Sequence, residues 1–276
     1  MTLDIEWQQI FTEIKNSIQT AITPFLKTLH DPLPNLGKGA GGDLIKPVDL
    51  AAENAIVETL KAHDLSFTLV SEEAGIKEIG KKPKAYYVTA DPIDGTTNLS
   101  RGLPFYATSI AISNKPELAD VKAGMVVDLH NDVTYTAFLG KGAYRNGERI
   151  ETSKIKSLDE AVVGVDFNAY KIKVDVLTVA ALIENIKHTR HFGANAPEVC
   201  FVAAGLTDAF IDLRRKIRTT DVAASFLIVK EAGGIVTDQH NKPINVNLDP
   251  KQTLSFIASG NTELHKKILS LVKQSV

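Results

Sequence analysis

The chain holds a single cysteine, Cys200, so it can form no intrachain disulfide, which fits a reducing compartment. Val199, Phe201 and Val202 flank it, and a thiol in so apolar a run reads as packing, not as a nucleophile. An excess of charge of one sign is also lacking: 31 Lys and Arg stand against 33 Asp and Glu, a formal net charge of −2. That balance speaks against general nucleic-acid binding, which needs a basic face. No uninterrupted apolar run is long enough to span a bilayer. Asp4, Glu6 and Glu13 stand near the start, where a signal peptide carries basic and then apolar residues. Internal repeats and low-complexity tracts are absent too. The expectation is a cytoplasmic globular protein with no membrane partner.

What is present divides in two. Leu3, Trp7, Ile10, Phe11, Ile14, Ile18 and Ile22 recur at helical spacing, with Pro24 near the end of the stripe. Pro32 and Pro34 mark a loop, and Gly37-Lys38-Gly39-Ala40-Gly41-Gly42-Asp43 is too glycine-rich for an element interior. A helix is expected from Asp49, carrying Leu50, Ala52, Ile56, Val57 and Leu60. Short β-rich runs follow at 67–70, 85–90, 107–112, 122–128 and 133–139, and Asn146-Gly147 signals a hairpin. Consecutive strands with few helices between them predict an antiparallel sheet.

The second half alternates: strand 162–166, helix 176–186, a strand near His191, helix 197–206, strand 208–213, then a helix from Asp221 that stops at Gly233-Gly234. Strands near Ile235 and Phe256 and a last helix from Asn261 complete the pattern. The reading is an α+β part over 1–155 and an α/β part over 156–276.

Acidic residues sit where elements end or begin. Glu72 and Glu73 follow one strand, Asp91 and Asp94 another, and Asp221 opens a helix. Such positions present polar groups to a ligand. Pro92 stiffens the bend between Asp91 and Asp94, so two carboxylates three apart can converge, with the Ile93 carbonyl as a third oxygen between them. Hard cations such as Mg²⁺ take such oxygens. Gly95 admits close backbone approach, and amides at the helix start beside Thr96 and Thr97 favour phosphate. Taken alone, Asp-Pro-x-Asp-Gly also describes a plain turn with capping aspartates.

Other candidates read more simply. His188 and His191 lack further ligands for a zinc pair, and Lys81-Lys82-Pro83-Lys84 reads as a solvated basic loop. Arg214-Arg215-Lys216-Ile217-Arg218 is either surface charge or phosphate contact, with Arg214 the favoured contact. Nothing in the spacing of Tyr170 and Lys171 requires them to border the same pocket.

Asp91-Pro92-Ile93-Asp94-Gly95-Thr96-Thr97-Asn98, Ser71-Glu72-Glu73, Thr220-Asp221-Val222-Ala223-Ala224 and Lys230-Glu231-Ala232-Gly233-Gly234 resemble, in order and spacing, the motifs of the inositol monophosphatase family. Asp49-Leu50-Ala51-Ala52-Glu53-Asn54, the 190–196 stretch and the 208–214 stretch are similar to the archaeal members that also hydrolyse fructose 1,6-bisphosphate. The resemblance covers the chain from about Gly37 to the last helix. It implies a layered α-β-α-β-α sandwich, commonly a homodimer. It implies Mg²⁺, two or three ions, on Glu72, Asp91, the Ile93 carbonyl, Asp94 and Asp221. It places Gly95 and Thr96 on the phosphate, Asp94, Arg190, Asn195 and Arg214 on the substrate, and Glu72, Thr96 and Asp49 as catalytic residues around an attacking water. Relatives carry an aspartate where this chain has Gly41 and a hydroxyl residue where it has Ile45, while Asp43 lies two residues further on. Both changes bear on a loop-dependent third ion.

The implied reaction is direct in-line hydrolysis of a small phosphate monoester by a metal-activated water, without a phosphoenzyme, and inhibition by Li⁺ is implied with it. A nucleotide phosphatase acting on 3′-phosphoadenosine 5′-phosphate or NADP shares the same metal motif. A catalytically weak relative that binds RNA or protein is the third reading; the changed glycine loop favours it and the intact carboxylate set opposes it.

Overall fold

The computed structural model describes residues 2–26, 34–81, 85–168, 170 and 175–274. Lys82, Pro83 and Lys84 of the basic loop, Pro32 and Lys171 lie outside the described residues.

The opening stripe forms helix α1, Thr2–Leu26, which buries Trp7, Ile10, Phe11, Ile14, Ile18 and Ile22 along one face. Helix α2, Pro47–Ala62, begins two residues before Asp49. Pro47 is tolerated there because the first helical N–H has no intrahelical partner. Both helices pack on one face of an eight-stranded sheet. Its strands are β1 Phe67–Ser71, β2 Gly75–Ile79, β3 Tyr86–Asp94, β4 Ala107–Ser113, β5 Val121–Asp128, β6 Val133–Phe138, β7 Gly142–Arg145 and β8 Glu148–Ile150, in the order β2-β1-β3-β4-β5-β6-β7-β8. A six-residue helix α3, Thr96–Arg101, leaves the end of β3.

The sheet is not wholly antiparallel as expected, because β1 and β3 run parallel. The strand that sequence reading omits, β2, is the cause. It pairs antiparallel with the outer side of β1, and the chain then crosses to the other side. Lys77 and Glu78 are exposed on β2, so this edge strand lacks the alternation that marks a half-buried one. The hairpin at Asn146-Gly147 forms as expected, with φ of 51° and 84°, between β7 and β8.

The second sheet has the order β10-β9-β11-β13-β12, with β9 Val162–Asp166, β10 His188–Arg190, β11 Ala209–Arg218, β12 Ile235–Thr237 and β13 Thr253–Ser259. Parallel β10-β9-β11 meets antiparallel β13 and β12. Helices α5, Asn195–Ala203, and α6, Thr219–Glu231, lie between the two sheets. Helices α4, Val176–Asn185, and α7, Thr262–Gln274, cover the outer face of the second sheet.

The layers are therefore α-β-α-β-α. Three apolar clusters fill the spaces between them. The middle cluster joins Val70, Val126 and Tyr135 to Phe210, Phe226 and Phe256, so residues on both sides of position 155 share one core. The two sheets themselves separate there, since β8 ends at Ile150 and β9 begins at Val162. No helix among the described residues is long and apolar enough to cross a membrane.

Candidate active site

The strand expected to end at Ala90 continues through Asp94, with its pairing to β4 broken between Asp91 and Asp94. Pro92 falls in that break, where a missing N–H disturbs no ladder bond. Its carbonyl accepts a hydrogen bond from Thr108 Oγ1 at 2.6 Å. Asp91 and Asp94 thus leave the strand as a rigid pair facing one cleft.

Glu72 enters from the turn between β1 and β2. Buried Glu53 of α2 holds that turn by accepting hydrogen bonds from Ser71 Oγ and, at 3.1 Å, from the Ala74 amide. Asp221 enters from the first turn of α6, where it accepts the Arg218 amide at 3.0 Å and Thr220 Oγ1 at 2.9 Å. Carboxylate oxygens of Glu72, Asp91 and Asp221 lie within 4.8 Å of one another.

This convergence is electrostatically costly without a cation. Burial, and then Glu72, Asp94 and Asp221 as neighbours, push Asp91 well above the carboxylate range. Burial and then Asp221 do the same to Asp94. Glu72 is pushed up to about 7, by burial first; Arg218 opposes the shift and Asp221 adds to it. Buried Asp91 Oδ1 has no hydrogen-bond partner. Hard oxygen donors crowded together, with one of them orphaned, fit a divalent cation such as Mg²⁺.

Beside this cluster, Gly95 has φ +88° and caps α3. A Cβ there would stand 3.0 Å from Ala194 Cβ and 3.2 Å from the Phe105 carbonyl, so glycine answers both the conformation and the close approach. Thr96 Oγ1 is 3.1 Å from Asp49 Oδ1 and 2.9 Å from the Ile93 carbonyl oxygen, both acceptors for its one proton. Asp49 also accepts the Lys46 amide at 2.7 Å, and burial pushes its pKa up to about 6. The proposed catalytic trio of Glu72, Thr96 and Asp49 is therefore drawn from three separate elements.

The cleft, of about 440 Å³, is also lined by Asn195, Arg214, Asn168, His191, Lys216 and Arg218. Asn195 lies on its wall and opens α5, which begins two residues before the expected start at Pro197 and ends at Ala203. Arg214 is present but committed. Its Nε and Nη2 donate to Asp212 at 3.0 and 2.6 Å, and Nη2 also meets Asp166. What it offers a substrate is the edge of a guanidinium already neutralised by two buried carboxylates. Arg190 does not line the cleft; it is exposed, and its Nη1 donates to the neighbouring Thr189 carbonyl. Three residues from α2, α5 and the basic run had no assigned role in sequence and prove to be supports. Glu53 holds the Glu72 turn. Glu198 accepts the Phe192 and Gly193 amides at 2.9 and 3.0 Å. Arg218 pairs with both Glu72 and Asp43. Of these, Glu53 appears in sequence within the 49–54 stretch and Arg218 as the last charge of a cationic run, while Glu198 left no trace.

The family model for the inositol monophosphatase family matches residues 6–276. The chain belongs to the inositol monophosphatase family. The chain is accordingly a phosphatase, a phosphoric monoester hydrolase, and Mg²⁺ dependence is general in its family. The fructose-1,6-bisphosphatase/inositol-1-monophosphatase of Methanothermobacter thermautotrophicus is 34% identical, over 97% of this chain and 96% of that one. The bifunctional NADP phosphatase/NAD kinase of Methanococcus maripaludis is 36% identical, over 84% of this chain and 43% of that one. A crystal structure of an inositol monophosphatase-fructose 1,6 bisphosphatase superposes with a TM-score of 0.84 at 28% identity, covering 96% of this chain and 99% of the other. The layered architecture is thus that of inositol monophosphatase-type structures.

Proposed function

We propose that this phosphatase hydrolyses small sugar or polyol phosphate monoesters, inositol 1-phosphate and fructose 1,6-bisphosphate among them. Two or three Mg²⁺ ions would be held by Glu72, Asp91, the Ile93 carbonyl, Asp94 and Asp221. The observation that carries the metal assignment is the orphaned Asp91 Oδ1, buried among carboxylates whose pKa values are raised by burial and by their mutual repulsion. Bound Mg²⁺ supplies an acidified water and neutralises charge that builds on the leaving oxygen.

The chain's own residues do the rest. With its proton given to Asp49, Thr96 Oγ1 keeps lone pairs that can orient a water. Glu72 is the carboxylate to which that water's proton passes. Amides of Gly95 and Thr96 hold the phosphate, and Asn195 with Arg214 meets the remainder of the substrate. Arg190 joins them only where a loop or a second copy brings it to the cleft, which makes the homodimer implied by resemblance a part of this reading.

A nucleotide phosphatase is the second reading. The 36% identity to an NADP phosphatase/NAD kinase supports it, as do Lys46 and Lys216 on the cleft lining, cations that suit a ligand of several phosphates. Phosphate release with and without Mg²⁺ separates the two, using inositol 1-phosphate, fructose 1,6-bisphosphate, 3′-phosphoadenosine 5′-phosphate and NADP. Release from the first pair is the expected result. Release confined to the nucleotides establishes the second reading, and release from none removes both.

A further inference from the structure

Arg218 stands three residues before the metal-ligand candidate Asp221, yet its side chain does not leave for solvent. The side chain is 12% exposed and its guanidinium turns back onto Glu72 and Asp43. One of its terminal nitrogens pairs with Glu72 and the other with Asp43. Its backbone is fixed by the same cluster, since the Arg218 amide donates to Asp221 at 3.0 Å.

The glycine-rich loop is shaped around this guanidinium. Gly41 and Ala40 donate their amides to the Glu72 and Glu73 carbonyls at 2.8 and 3.1 Å, and Gly39 donates to the Asp43 carbonyl at 2.9 Å, so the loop is pinned over Glu72. A Cβ on Gly41 would stand 2.7 Å from Arg218 Nη1 and 2.9 Å from Glu72 Cγ. No side chain fits at 41 while the arginine is in place. Burial opposes the positive charge of Arg218, but Glu72, Asp221 and Asp43 outweigh it and raise its pKa. Loop and arginine together put a fixed positive charge between the carboxylates of Glu72 and Asp43.

We propose that Arg218 is a built-in cation of this metal centre, occupying the Glu72–Asp43 side in place of one divalent ion. The inference rests on the metal-dependent reading above. It makes Arg218 a positioning residue that holds Glu72 and the loop in the arrangement a loop-side ion would otherwise impose. A planar guanidinium suits the task because it can meet two carboxylates at once and stays charged at any working pH.

The test counts Mn²⁺ bound per chain by equilibrium dialysis, with free Mn²⁺ read by electron paramagnetic resonance. Two variants displace the guanidinium by different routes. Arg218→Met removes the charge and keeps the stem, while Gly41→Asp adds a carboxylate at the point where the guanidinium lies. Each is expected to bind about one Mn²⁺ more than the wild type, and Arg218→Lys, which keeps a charge, to bind the wild-type number. Position 41 is in a surface loop, so the count survives even if Arg218→Met fails to fold. Equal counts in the wild type and both displacing variants overturn the proposal. Phosphate release by the wild-type protein is measured alongside: its absence with a raised Mn²⁺ count would remove the phosphatase reading and leave this inference standing.

Discussion

Asp94 Oδ2 accepts a hydrogen bond from the Ala196 amide at 2.6 Å, joining residues 102 positions apart. One carboxylate of the metal motif is thereby tied to the start of α5, whose first residue, Asn195, lines the cleft. The bond explains how a motif on one sheet is aligned with the wall built by the other. Asp94→Asn keeps an oxygen to accept that bond and loses the charge. It is expected to fold with a melting temperature within a few degrees of the wild type. Its Mg²⁺-dependent phosphate release should drop by on the order of a hundredfold. Full turnover by this variant would remove Asp94 from the metal site.

Thr96 and Asp49 make a second separable pair. Thr96→Ser keeps the hydroxyl 3.1 Å from Asp49 and should keep most activity. Thr96→Val is nearly isosteric and should lose about a hundredfold in kcat, the scale of a misplaced proton-transfer group. If the valine variant loses only substrate affinity, the hydroxyl binds phosphate and does not orient water.

Gly95→Ala tests the backbone at the phosphate end. Its φ of +88° disfavours any side chain, and the new Cβ would crowd Ala194 at 3.0 Å. A loss of about 1–3 kcal/mol in unfolding free energy is expected from an L-residue held there. Chemical denaturation of the metal-free protein measures it. Unchanged stability would mean that the α3 start is free to move.

The acidic cleft also sets a pH dependence. Glu72 and Glu198 are raised to about 7 and Glu73 to about 8, burial being the largest cause in each. A carboxyl whose folded pKa exceeds its unfolded one favours folding while it is protonated, and that advantage is lost as pH rises through the folded value. The metal-free protein should therefore be less stable at pH 8 than at pH 6.5, by a few degrees in melting temperature. Buried His265 works in the opposite direction, its pKa lowered to about 4 by burial, but that contribution is confined to the range below its ordinary value of 6.5. Excess Mg²⁺ should reverse the trend, because metal binding requires the deprotonated carboxylates. A melting temperature in EDTA that rises from pH 6.5 to 8 would contradict the electrostatic account of the cleft.

Much of this molecule is local and therefore legible along the chain. The Trp7 to Ile22 stripe, the Asn146-Gly147 turn and the Gly233-Gly234 stop each depend on neighbours within a few residues. Periodicity and turn chemistry are sufficient to find them. The edge strand β2 escaped because its exposed Lys77 and Glu78 obey no burial period. The extension of β3 through Asp94 escaped because proline usually ends a ladder and here falls in a break.

The carboxylates of the site could be named from sequence, since their types and their places at element ends are written in it. Their convergence was decided only by the tertiary structure, because Glu72 and Asp91 come from a turn and a strand of the first sheet and Asp221 from a helix of the layer beneath it. The same holds for the arginines of the basic run. Sequence favours Arg214 as a phosphate contact and gives Arg218 no role, but packing commits Arg214 to Asp212 and Asp166 and turns Arg218 onto Glu72 and Asp43. Which carboxylate each guanidinium meets depends on how the two sheets close over α5 and α6. That closure is a long-range consequence of burying three apolar layers at once.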